Sequence, residues 1–121
     1  MTVALRRAGL AAVAAVLLAG GCAEGGGDGD QTIELRALDH HYEDVPEEVE
    51  AGTVTLRMAN EGVAAHDLLI EELDDERVIE VVAPGDEGEG TVDLEPGTYT
   101  LYCSIPGHRE AGMEHELEVV E

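Results

Sequence analysis

Alternation of apolar and polar residues in short segments is the feature that most constrains the fold. Over residues 32–37, 53–60 and 98–103, apolar side chains occupy every second position, and turns containing Gly or Pro, at 51–52 and 95–97, precede the second and third of these segments. A period of two places successive side chains on opposite faces of a strand. Short strands separated by turns every eight to twelve residues are typical of sandwiches. The sequence therefore predicts an all-β protein, a Greek-key β-sandwich or barrel.

Further strand-like segments complete this pattern. They lie at 42–49, 66–72, 78–83, 91–94 and 113–120. Pro46 interrupts the first of them, because proline cannot donate a ladder hydrogen bond. Residues 71–77 are predicted to form an acidic loop, and helical periodicity is absent after residue 31. One folded domain is expected over residues 32–121.

The N-terminal segment has the pattern of an export signal. Arg6 and Arg7 precede an apolar run that is too short for a comfortable transmembrane helix and ends at Gly20-Gly21-Cys22. Residues 17–22 resemble a lipobox, although Ala19 stands where Leu is commoner. This resemblance implies a signal peptide over 1–21, acylation of Cys22, and anchoring to the outer face of the cell membrane. An ordinary signal peptide cut nearby is the alternative.

A glycine- and acid-rich segment and a strong negative charge follow the signal. Residues 22–31 are predicted to be a flexible tether between the lipid and the domain. The chain has 28 acidic residues, six Arg and a net charge of −22, which becomes −24 after residue 21. Such a field repels nucleic acid and anionic lipid, so we expect no nucleic-acid partner. It favours a basic partner, or it is simply a solvated surface.

Three side chains near the C-terminus have the chemistry of a metal site. Cys103, His108 and Met113 lie within eleven residues, on a segment that contains Pro106 and Gly107. Sulfur ligands together with imidazole favour copper. The alternation of their strands predicts that His66 and Cys103 both point inward. Taken singly, each residue has a simpler explanation as a core His, a buried thiol or a core Met.

Taken together, these residues resemble the small blue copper proteins, the cupredoxins. The resemblance rests on Cys-x4-His-x4-Met after a strand and on His66 following Asn60-x-Gly62, although Ala65 stands where plastocyanin-like members have Pro. It implies one type 1 copper ion held by His66, Cys103 and His108, with Met113 as a weak axial ligand. Zinc is a competing ion for two His and one Cys.

The resemblance also implies a function. We expect a monomeric one-electron carrier that shuttles electrons between membrane-associated or exported redox partners, such as a cytochrome, an oxidase or a copper reductase. Catalysis is not expected, because five His and one domain leave no ligands for further copper sites. A copper carrier or store without redox duty, and an acidic lipoprotein that binds something else, are the alternatives.

The remaining cysteine and histidines receive other assignments. Cys22 and Cys103 each have a separate use, so no disulfide between them is predicted. His40, His41 and His115 fit no part of the cupredoxin pattern and are assigned to the surface.

Lipidation of Cys22 can be tested by phase partitioning. The mature protein is expected to enter the detergent phase, because an acyl chain adds apolar surface that the acidic domain lacks. Recovery in the aqueous phase alone would exclude the anchor.

Overall fold

The computed structural model describes residues 31–121, so the predicted signal peptide, Cys22 and nearly all of the tether lie outside the described part of the chain. Nine strands and one short 3-10 helix form this part. They are β1 (Gln31–Leu38), β2 (His41–Glu43), β3 (Glu48–Glu50), β4 (Gly52–Asn60), β5 (His66–Ile70), the 3-10 helix (Glu71–Leu73), β6 (Glu76–Val82), β7 (Glu87–Leu94), β8 (Gly97–Tyr102) and β9 (Glu114–Val120). Over residues 31–121, no helix is long and apolar enough to cross a membrane.

The strands form two mixed sheets. One sheet has the order β2-β1-β4-β7 and the other the order β3-β9-β8-β5-β6. The β1–β4 and β3–β9 pairs are parallel, and the remaining pairs are antiparallel. The prediction of an all-β sandwich is confirmed.

The core lies between the sheets and consists mainly of aliphatic side chains. The inward positions of β4 alternate as the sequence predicts, with Val54, Leu56 and Met58 fully buried. Leu117 and Val119 of β9 face them from the other sheet and are also buried. The chain has no Phe or Trp, and burial of these aliphatic side chains supplies the main driving force for folding.

Three segments differ from the sequence prediction. The β7 strand begins at Glu87 rather than near residue 91, because Gly88 and Gly90 weaken the strand signal without preventing pairing with β4. The predicted acidic loop at 71–77 contains the 3-10 helix and the first residues of β6. All five residues of β5 are buried, and register shifts relative to β6 interrupt simple alternation.

Gly88 and Gly90 allow the two sheets to meet along one side of the sandwich. Both glycines occupy inward positions of β7, opposite β6 of the other sheet. A Cβ atom at Gly90 would lie 1.9 Å from the carbonyl oxygen of Val78, whereas one at Gly88 would lie 2.6 Å from a methyl group of Val82. A Cβ atom at position 90 would therefore clash with the backbone of β6, whereas one at position 88 would clash only with side-chain atoms.

Gly90→Ala is expected to destabilise the fold by about 1–3 kcal/mol, because the backbone of β6 must move to admit the methyl group. Gly88→Ala is the matched control on the same strand and face, and it should cost less because only methyl groups of Val82 and Ile79, and no backbone atom, oppose the new methyl group. Urea denaturation of both variants measures the difference. Equal losses would show that the close approach at Gly90 does not constrain the fold.

Candidate metal centre

Antiparallel pairing of β5 with β8 places His66 and Cys103 at the same end of the sandwich. Leu69 and Ile70, the last residues of β5, pair with Tyr102 and Leu101, the last residues of β8, so the beginning of β5 extends past the end of β8 at this pole. His66 is the first residue of β5, and Cys103 directly follows β8. Both are fully buried. The inward orientation predicted from alternation is therefore present at both positions.

His66, Cys103 and His108 form a compact donor cluster. Cys103 Sγ lies 3.5 Å from Nδ1 of His108 and 3.9 Å from Nδ1 of His66. The three donor atoms all lie within 4.8 Å of one another. An ion about 2.3 Å from sulfur and about 2.0 Å from nitrogen separates such donors by roughly 3.6–3.8 Å. The cluster therefore fits one metal ion without rearrangement of the backbone.

The segment between Cys103 and Met113 is closed by backbone hydrogen bonds. Cys103 N donates to Met113 O at 3.2 Å, and Met113 N donates to His108 O at 3.1 Å. Gly107 and Gly112 have positive φ values, 86° and 115°, that few other residues adopt. Met113 is fully buried. The loop thus brings the backbone of Met113 beside that of Cys103.

The protein around Cys103 acts in two opposite ways on the protonation of its sulfur. Burial raises the pKa of the Cys103 thiol above its usual value, and the N–H groups of Asp67 and Ile105 oppose this shift by stabilising the thiolate. Ile105 lies in the loop that follows Cys103, and Asp67 belongs to β5.

His66 is held on both sides of its ring. Nδ1 faces the sulfur, and Nε2 lies 3.2 Å from Oδ1 of Asp39 in the turn between β1 and β2. Burial lowers the pKa of His66, although the hydrogen bond to Asp39 opposes the shift. A neutral imidazole is the form that ligates metals. The site therefore keeps His66 ready to bind a cation.

Asp67 is a site residue that sequence reasoning missed. Its side chain is fully buried, and it accepts hydrogen bonds from Ser104 N at 2.8 Å and Ser104 Oγ at 2.6 Å. Arg77 Nε lies 3.3 Å from Oδ2 of the same carboxylate. This contact ties the residue after His66 to the residue after Cys103. The available signal was an acidic residue inside an otherwise apolar strand.

The other histidines lie outside the donor cluster. His40 and His41 are exposed, as predicted, whereas His115 is half-buried. The His40 ring meets the His108 ring edge-on, with 5.5 Å between centroids. His41 pairs with Glu43 instead. Within residues 31–121, no second cluster of His, Cys, Asp or Glu has metal-site geometry.

The fold and this cluster define a class of protein. The model of the cupredoxin-like domain family matches residues 9–113, and the chain belongs to that family. His66, Cys103, His108 and Met113 are arranged as a type 1 copper site, so copper is the cofactor that the family and the donor set together specify. No curated protein sequence matches the chain significantly.

Solved structures share the fold at low sequence identity. Auracyanin B is 21% identical over 75% of this chain and 89% of its own, with a TM-score of 0.63. Auracyanin A, a "blue" copper protein of Chloroflexus aurantiacus, is 21% identical over 75% and 99%, with a TM-score of 0.61. The copper nitrite reductase of Thermus scotoductus is 19% identical over 76% and 28%, with a TM-score of 0.63. At this identity the likeness establishes the fold alone.

Asp67→Ala is expected to lower the free energy of unfolding of the metal-free protein by about 1.5–3 kcal/mol, because Ser104 loses a charged acceptor. Asp67→Asn should lose less, since the amide oxygen still accepts from Ser104 N. Urea denaturation of the metal-free proteins measures both. Full stability of Asp67→Ala would contradict the role given to this contact.

Proposed function

We propose that the protein is a one-electron carrier that uses a single type 1 copper ion. The observation that carries the proposal is the cluster of one thiol sulfur and two imidazole nitrogens at one end of a β-sandwich. The sulfur lies 3.5 Å from one nitrogen and 3.9 Å from the other. Bound copper would supply a one-electron Cu(I)/Cu(II) couple. His66, Cys103 and His108 would hold it strongly, and Met113 would hold it weakly.

The residues around the cluster support fast electron transfer. His66, Cys103 and Met113 are fully buried, and backbone hydrogen bonds fix the positions of Cys103 and Met113. Donors held in place by the fold move little when the charge at their centre changes. Burial also excludes water from the sulfur. Both properties lower the reorganisation that accompanies each transfer.

The surface around His108 supports contact with a partner protein. His108 is half-buried, whereas Pro106, Gly107 and Ala111 beside it in sequence are exposed. Val63, on the segment before His66, is 84% exposed. Small apolar side chains permit the close, low-area contact typical of transient redox encounters. The partners we propose are exported or membrane-bound redox proteins such as a cytochrome, an oxidase or a copper reductase.

We further propose that the protein acts as a monomer that is anchored to the outer face of the cell membrane. We also propose that it is not itself an enzyme. The lipobox-like sequence ending at Cys22 supports the anchor. The presence of one donor cluster over residues 31–121 supports the absence of catalysis, since copper enzymes of this fold use further copper sites. Turnover of nitrite or dioxygen by the pure protein would contradict that proposal.

Copper titration tests the site directly. One equivalent of Cu(II) is expected to produce an intense blue thiolate-to-copper absorption band, and Cys103→Ser should abolish it because no thiolate remains. His41→Gln is the matched control, because His41 is exposed and lies outside the donor cluster. It should retain the band. A colourless complex of the unsubstituted protein would contradict the proposal.

The same copper-loaded protein distinguishes an electron carrier from a copper store. A carrier should show a reversible one-electron couple in voltammetry without loss of the ion. A store should bind Cu(I) tightly, release it to a competing chelator, and lack a reversible couple. The latter outcome would replace electron transfer with storage while leaving the ligand assignment intact.

A further inference from the structure

We infer that Asp39 is a positioning residue of the copper site, and that its carboxylate sets the tautomer and the electron-donating strength of His66. The inference rests on the proposed copper site and extends it to a residue that lies in a turn 27 positions upstream of the first ligand. Asp39 occupies the connection between β1 and β2, where the following residue, His40, has a positive φ of 77°.

The carboxylate of Asp39 collects hydrogen-bond donors from the segment that precedes His66. Val63 N lies 3.1 Å from Oδ1 and 3.2 Å from Oδ2, and Ala64 N lies 3.4 Å from Oδ1. His66 Nε2 completes the set at 3.2 Å from Oδ1. Both oxygens of the Asp39 side chain therefore act as hydrogen-bond acceptors toward this segment.

Oδ1 of Asp39 already accepts from the N–H groups of Val63 and Ala64, so it also acts as an acceptor toward the imidazole of His66. Nε2 of His66 must therefore carry the ring proton, which leaves the lone pair of Nδ1 directed toward Cys103 Sγ, 3.9 Å away. This is the tautomer that can ligate an ion in the cluster. A carboxylate behind a ligating imidazole also makes it a stronger donor. That effect stabilises the more highly charged Cu(II) over Cu(I).

Gly62 provides independent evidence that the fold reserves space for this carboxylate. A Cβ atom at Gly62 would lie 2.3 Å from Oδ1 of Asp39 and 3.0 Å from its Cγ. On the inner side of the same loop, Asn60 accepts from Gly62 N and donates to Ala64 O, each at 2.9 Å. The buried amide and the carboxylate thus hold opposite sides of the 62–64 segment. Glycine at position 62 serves the carboxylate rather than a positive φ.

Asp39→Asn separates charge from shape. The amide keeps an oxygen acceptor for the donors of the loop and of His66, but it removes the negative charge. We expect Cu(II) binding to weaken about tenfold relative to Cu(I), which raises the reduction potential by about 59 mV. The matched control is Glu110→Gln, which removes one charge from an exposed position on the loop that carries His108. A potential shift in Asp39→Asn no larger than that of the control would overturn the inference.

A second pair of variants protects the test against simple loss of folding. Gly62→Ala should raise the potential of the otherwise unsubstituted protein, because the new methyl group displaces the carboxylate. In an Asp39→Ala background the same substitution should add little further change, since the clash with the carboxylate is gone and only the 3.1 Å approach to the backbone nitrogen of residue 39 remains. Additive shifts in this double-mutant cycle would overturn the coupling.

Nitrogen NMR of the histidine rings provides a readout that needs no copper. In the metal-free protein, His66 should carry its proton on Nε2, and this proton should exchange slowly with water. Asp39→Ala should make the exchange fast. A ring protonated on Nδ1 would overturn the inference even if the protein turns blue with Cu(II). A protein that shows the Nε2 proton but never turns blue would instead contradict the proposed function.

Discussion

The antiparallel contact between β5 and β8 is the constraint on which the site depends. It pairs the last residues of β5 with the last residues of β8, so the start of β5 extends past the end of β8 and His66 meets Cys103 without help from a flexible loop. Asp67 follows His66 and Ser104 follows Cys103, and the buried carboxylate of Asp67 accepts hydrogen bonds from Ser104. Since the backbone N–H of Asp67 also reaches the sulfur, one residue serves both the pairing and the thiolate.

The arginines of the protein pair with nearby carboxylates but do not neutralise its negative charge. Each of the four arginines in residues 31–121 contacts at least one carboxylate, and Arg36 contacts three, those of Glu43, Asp44 and Glu61. Arg109 also lies 4.1 Å above the ring of Tyr102, which places a cation over the residue preceding Cys103. The remaining negative field extends into solvent, where salt screens it and where it attracts cations and basic surfaces.

The fold and the donor set could be predicted from the sequence because the fold produces a periodic pattern and most of the donors lie close together in the chain. Alternation located most strands and gave the inward orientation of His66, and the spacing after Cys103 gave His108 and Met113. The alternation pattern predicted too short a β7, because Gly88 and Gly90 interrupt the apolar pattern. The reason for these glycines is the close approach of the other sheet, which the sequence pattern does not contain. The pattern overlooked Asp67 and Asp39 for a similar reason. Their partners lie 37 and 27 positions away, and only the folded chain brings them together.

The cluster joins two parts of the molecule that differ in resistance to local opening. His66 begins β5, whose five residues are all buried, whereas His108 lies in a segment held by short turns and bordered by exposed residues. Opening fluctuations concentrate where few apolar contacts and many exposed amides occur. Local opening is therefore expected on the His108 side of the cluster, while the imidazole on β5 stays in place.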